Sequence, residues 1–165
     1  MSTFHLTGWD VGSKLLESIS YVEFFMNELV KNLEIRRIQV GDAADISRIQ
    51  SVITQSPATI DFGYIIEDQV RKGEDASFVA VISGKVVGYM ISYIVFGGFG
   101  LEKGAWIATL GVDPRFMGQG IGKKLAEEIL AVYREKGIND IFTSVRWDSV
   151  DLLSFFKELG FDRSN

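Results

Sequence analysis

Val112-Asp113-Pro114-Arg115-Phe116-Met117-Gly118-Gln119-Gly120-Ile121-Gly122-Lys123-Lys124-Leu125 is the stretch from which the rest of the chain can be read. Ahead of it, Trp106-Ile107-Ala108-Thr109-Leu110-Gly111-Val112 is apolar and rich in strand formers. Behind it, Ile121, Leu125, Ile129 and Val132 recur at three- and four-residue steps, the spacing of a helix with one buried face. The order is therefore strand, tight loop, helix, with Gly118, Gly120 and Gly122 where the loop becomes the helix. The first backbone N–H groups of a helix have no intrahelical acceptors, and the dipole makes that end partly positive. Glycines without Cβ atoms let an anion reach those donors. Lys123 and Lys124 stand in the first turn, where lysines oppose the dipole, so a bound anion accounts for them better than helix stability does. The local chemistry favours a phosphate or pyrophosphate cradle. The plain alternative is a strand-to-helix turn that needs positive φ.

Two nucleotide-site patterns fail on spacing. A P-loop, G-x-x-x-x-G-K-[ST], would need Ser or Thr at Lys124. A dinucleotide fingerprint would need G-x-G-x-x-G in the first strand–helix–strand unit, and this loop lies late in the chain. What the stretch resembles is the coenzyme A loop of the GNAT family of N-acetyltransferases, whose motif runs V-x-P, a few residues, [QR]-x-x-G-x-[GA], then a helix. Val112-Asp113-Pro114 and Met117-Gly118-Gln119-Gly120-Ile121-Gly122 occupy those places, with Met117 where Gln or Arg is usual.

The resemblance covers residues 33–165 and implies an α/β (α+β) fold, a mixed, mainly antiparallel sheet flanked by helices. It also implies transfer of an acetyl group from acetyl-CoA directly to a primary amine. The implied coenzyme A contacts are Leu110, Gly111 and Val112 on the fourth strand, the loop residues Met117, Gly118, Gln119, Gly120, Ile121, Gly122 and Lys123, and Ser149. Gly111 reads as a site that lets the strand bulge or a ligand approach. The family's tyrosine acid falls at Phe156, in Phe155-Phe156-Lys157-Glu158-Leu159-Gly160-Phe161, and its asparagine falls at Ser149. Phenylalanine donates no proton, so three family positions, Met117, Ser149 and Phe156, depart together. A non-catalytic CoA-binding module, or an interaction protein that keeps the fold, is the competing reading. Glu102 is the first candidate for the base, with Asp113, Glu67 and Asp68 as other carboxylates near the expected cleft. Thr109 is a candidate for orienting a water.

Composition limits the alternatives. The chain has 165 residues, long enough for one domain with a real core. It has no cysteine and a single histidine, His5, which sets aside disulfides, thiolate metal sites and a histidine-based triad. A formal net charge of −5 speaks against general nucleic-acid binding. Neither a membrane-spanning run nor a secretory leader is evident, so no membrane partner and a cytoplasmic setting are expected.

Working outward, residues 13–32 carry Leu15, Ile19, Val22, Met26 and Leu29 on one helical stripe, with Ser13 as a cap. This gives an N-terminal helical extension over residues 1–32. Its apolar stripe has three readings: packing on the main domain, a homodimer interface, or membrane-surface association. In the domain over residues 33–165, a strand at 34–40 leads to helices at 43–55 and 61–72, with Asp42 a plausible cap. Strands at 77–82 and 86–96 form a hairpin around Ser83-Gly84-Lys85. A helix at 119–136 ends at Gly137, a strand follows at 140–147, and a last helix buries Leu152, Phe155, Phe156 and Leu159. Phe161-Asp162 is expected to start a sixth strand, shortened relative to the family, with the N-terminal extension as the element available to cover that edge. The sequence carries no readable code for the acceptor amine.

Overall fold

The computed structural model of the protein describes residues 11–73, 76–96, 103–146 and 148–162, with the backbone alone over 11–20. The chain separates into two compact units, Met1–Asn32 and Leu33–Asn165. In the first, helix α1 runs Val11–Lys31, so Ser13 lies inside the helix rather than capping it. Lys31 in its last turn pairs with Glu28, placing a cation where the helix dipole favours one. Among the described residues, no helix is long and apolar enough to cross a membrane.

Among the described residues, the second unit is a five-stranded sheet with helices on both faces. In chain order its elements are β1 (Glu34–Arg37), α2 (Ala43–Thr54), α3 (Phe62–Lys72), β2 (Phe78–Ile82), β3 (Lys85–Val95), β4 (Gly104–Val112), α4 (Ile121–Glu135), β5 (Ile141–Thr143) and α5 (Val150–Glu158). The sheet order is β1-β2-β3-β4-β5, antiparallel throughout except for the parallel β4–β5 pair. The mixed, mainly antiparallel architecture is the expected one.

Alternation along β3 sorts the two faces. Tyr89 and Ile91 join Ile46 and Ile49 of α2 and Phe62 and Ile66 of α3 in one buried cluster. Gly88 faces the other way, where a Cβ would meet Ile121 Cγ2 of α4 at 3.1 Å and Leu125 Cδ1 at 3.5 Å. Covered on both faces, β2 is buried at all five positions, which is why it reads as an unbroken apolar run rather than an alternating one. The β2–β3 turn has Ser83 at φ 50° and Gly84 at φ 76°, between the paired residues Ile82 and Lys85. Two positive φ values in a two-residue loop match the twist of the strands it joins.

Several local expectations change. Asp42 precedes α2 but makes no side-chain cap, because its carboxylate accepts from both terminal nitrogens of Arg36 at 2.8 Å and from Gln39 N at 2.8 Å. Asp61 caps α3, accepting from Tyr64 N at 3.1 Å. On α5, Phe156 is buried but Leu152 is exposed. The expected sixth strand would run into residues 163–165, outside the described residues, and among the described ones no strand begins at Phe161. Its N–H bonds Phe156 O at 3.0 Å and the N–H of Gly160 bonds Lys157 O at 3.0 Å, with Gly160 at φ 91°. These are the two hydrogen bonds of a Schellman cap, and the usual apolar contact is present too, as Phe161 meets Phe156 at 5.2 Å between ring centroids. Residues 159–161 thus close helix α5. Helix α4 ends the same way at Gly137, with Ile138 N on Tyr133 O at 2.9 Å.

Candidate active site

Strand β4 leads straight into the glycine loop, and the junction is pinned. The N–H of Asp113 continues the ladder onto Val87 O at 2.8 Å. Its carboxylate, 3% exposed, accepts from Arg48 Nη1 of α2 at 3.0 Å and from Arg115 Nε and Nη2 at 3.0 and 2.8 Å. It also accepts from Arg115 N at 3.1 Å, capping a short 3-10 turn, Pro114–Phe116. The two guanidinium groups, Arg115 first, hold this carboxyl well below the usual carboxylate range. So Asp113, one of the candidate bases, is locked in an ion triad and is a poor proton acceptor.

Past that turn the three glycines part company. Gly118 and Gly120 have φ of 76° and 75°, and nothing lies within 4 Å of where a Cβ would stand on either. Gly120 is the N-terminal cap of α4 and offers no side chain to its amides. The first helical bond runs from Lys124 N to Gly120 O at 3.1 Å, so the amides of Ile121, Gly122 and Lys123 lie ahead of the ladder. Gly122 differs, because a Cβ there would stand 3.3 Å from Phe155 Cε2 of α5. Its smallness lets α5 pack against α4, a role Gly118 and Gly120 do not share. Lys123 and Lys124 are exposed beside the loop, as is Met117. Open space, positive φ and unbonded amides at a helix N-terminus together suit a pyrophosphate. The donor set fits the phosphates of acetyl-CoA.

The strand next to this loop has a bulge, though not at Gly111. The β3–β4 register passes from Ile91↔Thr109 to Ser92↔Ile107, leaving Ala108 as the extra residue. Pairing of β4 with β5 stops at Ile107↔Thr143, fixed by a 3.0 Å bond from Thr143 Oγ1 to Ile107 O. Beyond it, residues 108–112 keep β3 on one side and, among the described residues, have no strand on the other. Leu110, Gly111 and Val112 lie on that stretch. Gly111 sits in register across from Tyr89, and a Cβ on it would stand 2.8 Å from Tyr89 Cε1 and 2.9 Å from Ile53 Cδ1. The glycine makes room for an aromatic ring.

That ring was not singled out by sequence reading. Tyr89 is fully buried and packs edge-on against Phe62 at 5.7 Å. Its hydroxyl donates to Gln50 Oε1 of α2. Burial pushes this phenol up from its ordinary value, so it stays protonated at working pH. Arg48, Gln50, Ile53 and Tyr89 lie well before the loop in the chain; only the small residue across from a strand tyrosine hinted at the contact.

Other expected site residues are placed as follows. Ser149 is the N-terminal cap residue of α5 without a side-chain cap bond. Phe156 is buried between Phe155 and Phe161, edge-on to each at 5.2 Å. Phe156 also lines a cleft of about 1090 Å³ between α4, β5 and α5, to which none of residues 104–123 contributes. Asp68 pairs with Arg71 and Lys72, and Glu67 is exposed on α3. Glu102 lies outside the described residues, as do Gly97-Gly98-Phe99-Gly100 and Trp147.

The profile of the acetyltransferase (GNAT) family matches residues 43–161. A mycothiol acetyltransferase of Amycolatopsis mediterranei is 31% identical over 93 residues, 54% of this chain and 31% of that protein. N-alpha-acetyltransferase 30 of Schizosaccharomyces pombe is 31% identical over 101 residues, 61% of this chain and 66% of that protein. The chain thus spans 31% and 66% of the lengths of these two relatives. Among solved structures, an aminoglycoside acetyltransferase from an uncultured soil metagenomic sample superposes with a TM-score of 0.70 at 23% identity, covering 82% of this chain and 93% of that one.

Proposed function

The chain belongs to the acetyltransferase (GNAT) family, and we propose that residues 33–165 form an acetyl-CoA-dependent N-acetyltransferase domain to which residues 1–32 add a helical extension. The observation that carries this reading is the glycine loop, with open space over Gly118 and Gly120, opening α4 directly after the unpartnered stretch of β4. Acetyl-CoA supplies an activated thioester. In the transfer the amine nitrogen would bond the acetyl carbonyl carbon as the C–S bond breaks, the sulfur would leave as a thiolate, and the proton the amine gives up would pass to it through solvent, giving amide and free thiol. The loop amides and lysines would hold the phosphates, and the backbone of Leu110, Gly111 and Val112 would align the thioester arm. Phe156 offers no proton to the leaving thiolate. A thiol pKa near ~8.5 makes unaided departure tolerable. We place the activity in the cytoplasm, with a cysteine-free sequence in support, and the pairing of two copies is a matter for sedimentation.

Calorimetric titration with acetyl-CoA tests the cradle, beside a Gly120→Glu control that adds a side chain and a negative charge at a positive-φ cap. Saturable binding by the parent and none by a folded control is expected. A well-folded parent that does not bind would overturn the reading. Binding without turnover on a broad amine panel would favour the non-catalytic module.

A further inference from the structure

The pairing of β2 with β3 stops at Phe78↔Met90, and just past it a buried polar group gathers around Ser92 of β3. Ala76, Ser77, Ser92 and Tyr133 are at most 2% exposed, and Gln69 is 5% exposed. Ser92 N donates to Ser77 Oγ at 3.0 Å. Ser92 O accepts from Gln69 Nε2 of α3 at 3.0 Å and from Ser77 Oγ at 3.4 Å. Side chains thus take up the backbone groups of Ser92 where β2 offers no further pair. The Ser92 hydroxyl donates to Ala76 O, so the proton in its 2.8 Å contact with the hydroxyl of Tyr133, from α4, is the one Tyr133 carries. That tyrosine oxygen in turn accepts from Ala76 N at 3.3 Å.

Ser92 stands on the row of the sheet where β4 parts from β5. Its partner across β3–β4 is Ile107, and Ile107↔Thr143 is the last pair of β4 with β5. The residue after Ile107 is the bulged Ala108. One end of this row is tied by the Thr143 hydroxyl on Ile107 O, the other by the group around Ser92. A slip of one residue along β3 would put Ile91 or Tyr93 among these polar groups and turn Ser92 toward the apolar cluster that holds Ile91. Gln69 stands there at a cost, since its Oε1 is buried with no hydrogen-bond partner among the described residues. An unmatched acceptor lowers stability, so the glutamine is explained by where it holds Ser92 and not by what it adds to the core.

Resting on the acetyltransferase reading, we propose that Ser92, held from α3 by Gln69 and from α4 by Tyr133, is a positioning residue that fixes the row at which β4 leaves β5. It thereby sets the place along Leu110, Gly111 and Val112 where the thioester arm lies. The register carries the link. Without the shift, the pairing Ser92↔Ile107 would continue to Tyr89 opposite Leu110, in the place where even a Cβ stands 2.8 Å from the Tyr89 ring. The shift is what brings Gly111 there instead. Two anchors therefore meet at the bulge: the polar group holds the Ser92–Ile107 side, and Tyr89 over Gly111 holds the other. With the first anchor loosened, the extra residue is free to migrate along β4, and the branch from β5 migrates with it. Tyr133 lies in the last turn but one of α4, roughly 18 Å along the helix from Ile121, too far for its hydroxyl to touch phosphates held at the loop.

The test compares Gln69→Leu and Tyr133→Phe, one on each side of the sheet, with the parent as full chains. Amide hydrogen exchange without ligand is expected to quicken at least about tenfold over residues 107–112 in each variant and to stay unchanged over residues 121–128. Calorimetric titration then separates the arm from the phosphates. Acetyl-CoA should bind about tenfold more weakly, whereas 3′-phospho-ADP, the part of the cofactor without the pantetheine arm, should change by less than about twofold. Residues that only stabilise the fold would weaken both ligands together or neither. Unchanged exchange over residues 107–112 in folded variants, or equal weakening of both ligands, overturns the proposal. Failure of the transferase reading shows separately, as a parent that binds neither ligand while exchange over residues 107–112 still depends on Gln69 and Tyr133.

Discussion

Gly111→Ala tests the link between the cofactor strand and the core behind it. The added methyl would stand 2.8 and 3.1 Å from Tyr89 Cε1 and Cζ and 2.9 Å from Ile53 Cδ1. Real Cβ atoms do not approach ring carbons that closely, so something must move. Ile53 can swing aside, since its end is partly exposed. Tyr89 cannot do so cheaply: it is fully buried, edge-on to Phe62, and bonded at its hydroxyl to Gln50. Overpacking of a core costs about 1–3 kcal/mol. Gly111 has no positive φ to strain, so alanine also removes unfolded-chain entropy, worth about 0.4–1 kcal/mol the other way. The net expectation is a loss of about 0.5–2 kcal/mol, or a Tm drop of roughly 2–6 °C for a chain of this size. A double-mutant cycle with Tyr89→Leu isolates the contact. Tyr89→Leu destabilises by itself, but in its background the ring is gone and Gly111→Ala should cost under about 0.5 kcal/mol, a coupling of about 1 kcal/mol or more. Urea unfolding followed by near-ultraviolet circular dichroism reads all four proteins. A Gly111→Ala protein as stable as the parent, with no coupling, would refute the reasoning.

Asp113→Asn keeps the shape of the ion triad and removes its charge. Breaking a buried pair costs about 3–5 kcal/mol, and because Arg48 is partly exposed the expected loss is nearer ~2 kcal/mol. The folded-state pKa of Asp113 is depressed, so its stabilisation is complete above the unfolded value near ~3.9 and is lost as pH falls below it. Denaturation midpoints of parent and variant should therefore converge below about pH 4, and a constant gap down to pH 2 would count against the triad. Phe156→Tyr is expected to change the transfer rate by less than about tenfold, well short of the ~10²-fold or more that a working general acid supplies. A larger rise would show that a tyrosine at this position reaches the leaving group after all.

Much of the fold was legible in the sequence because it rests on local rules. Apolar spacing set the helices over residues 43–54 and 121–135, Gly137 marked a helix end through its positive φ, and the run 78–82 read as a strand. The anion-binding character of the loop was legible too, since a glycine-rich helix start exposes amides whatever surrounds it. Tertiary structure decided what depends on neighbours distant in the chain. Gly118, Gly120 and Gly122 look alike in sequence, yet only Phe155, some 30 residues later, makes the third a packing glycine. The bulge falls at Ala108 and not at Gly111, because the β3–β4 register sets it. Gly111 is small because Tyr89 lies across from it. Asp113 is unavailable as a base because α2 brings Arg48 to it over 65 positions of sequence. Phe161 closes helix α5 because Phe156 is there to pack against it. Periodicity reports which face of an element is apolar. Whether that face meets the core, a cofactor or an acceptor is settled only when the other elements are in place, as the exposed Ile53 beside the buried Ile49 shows.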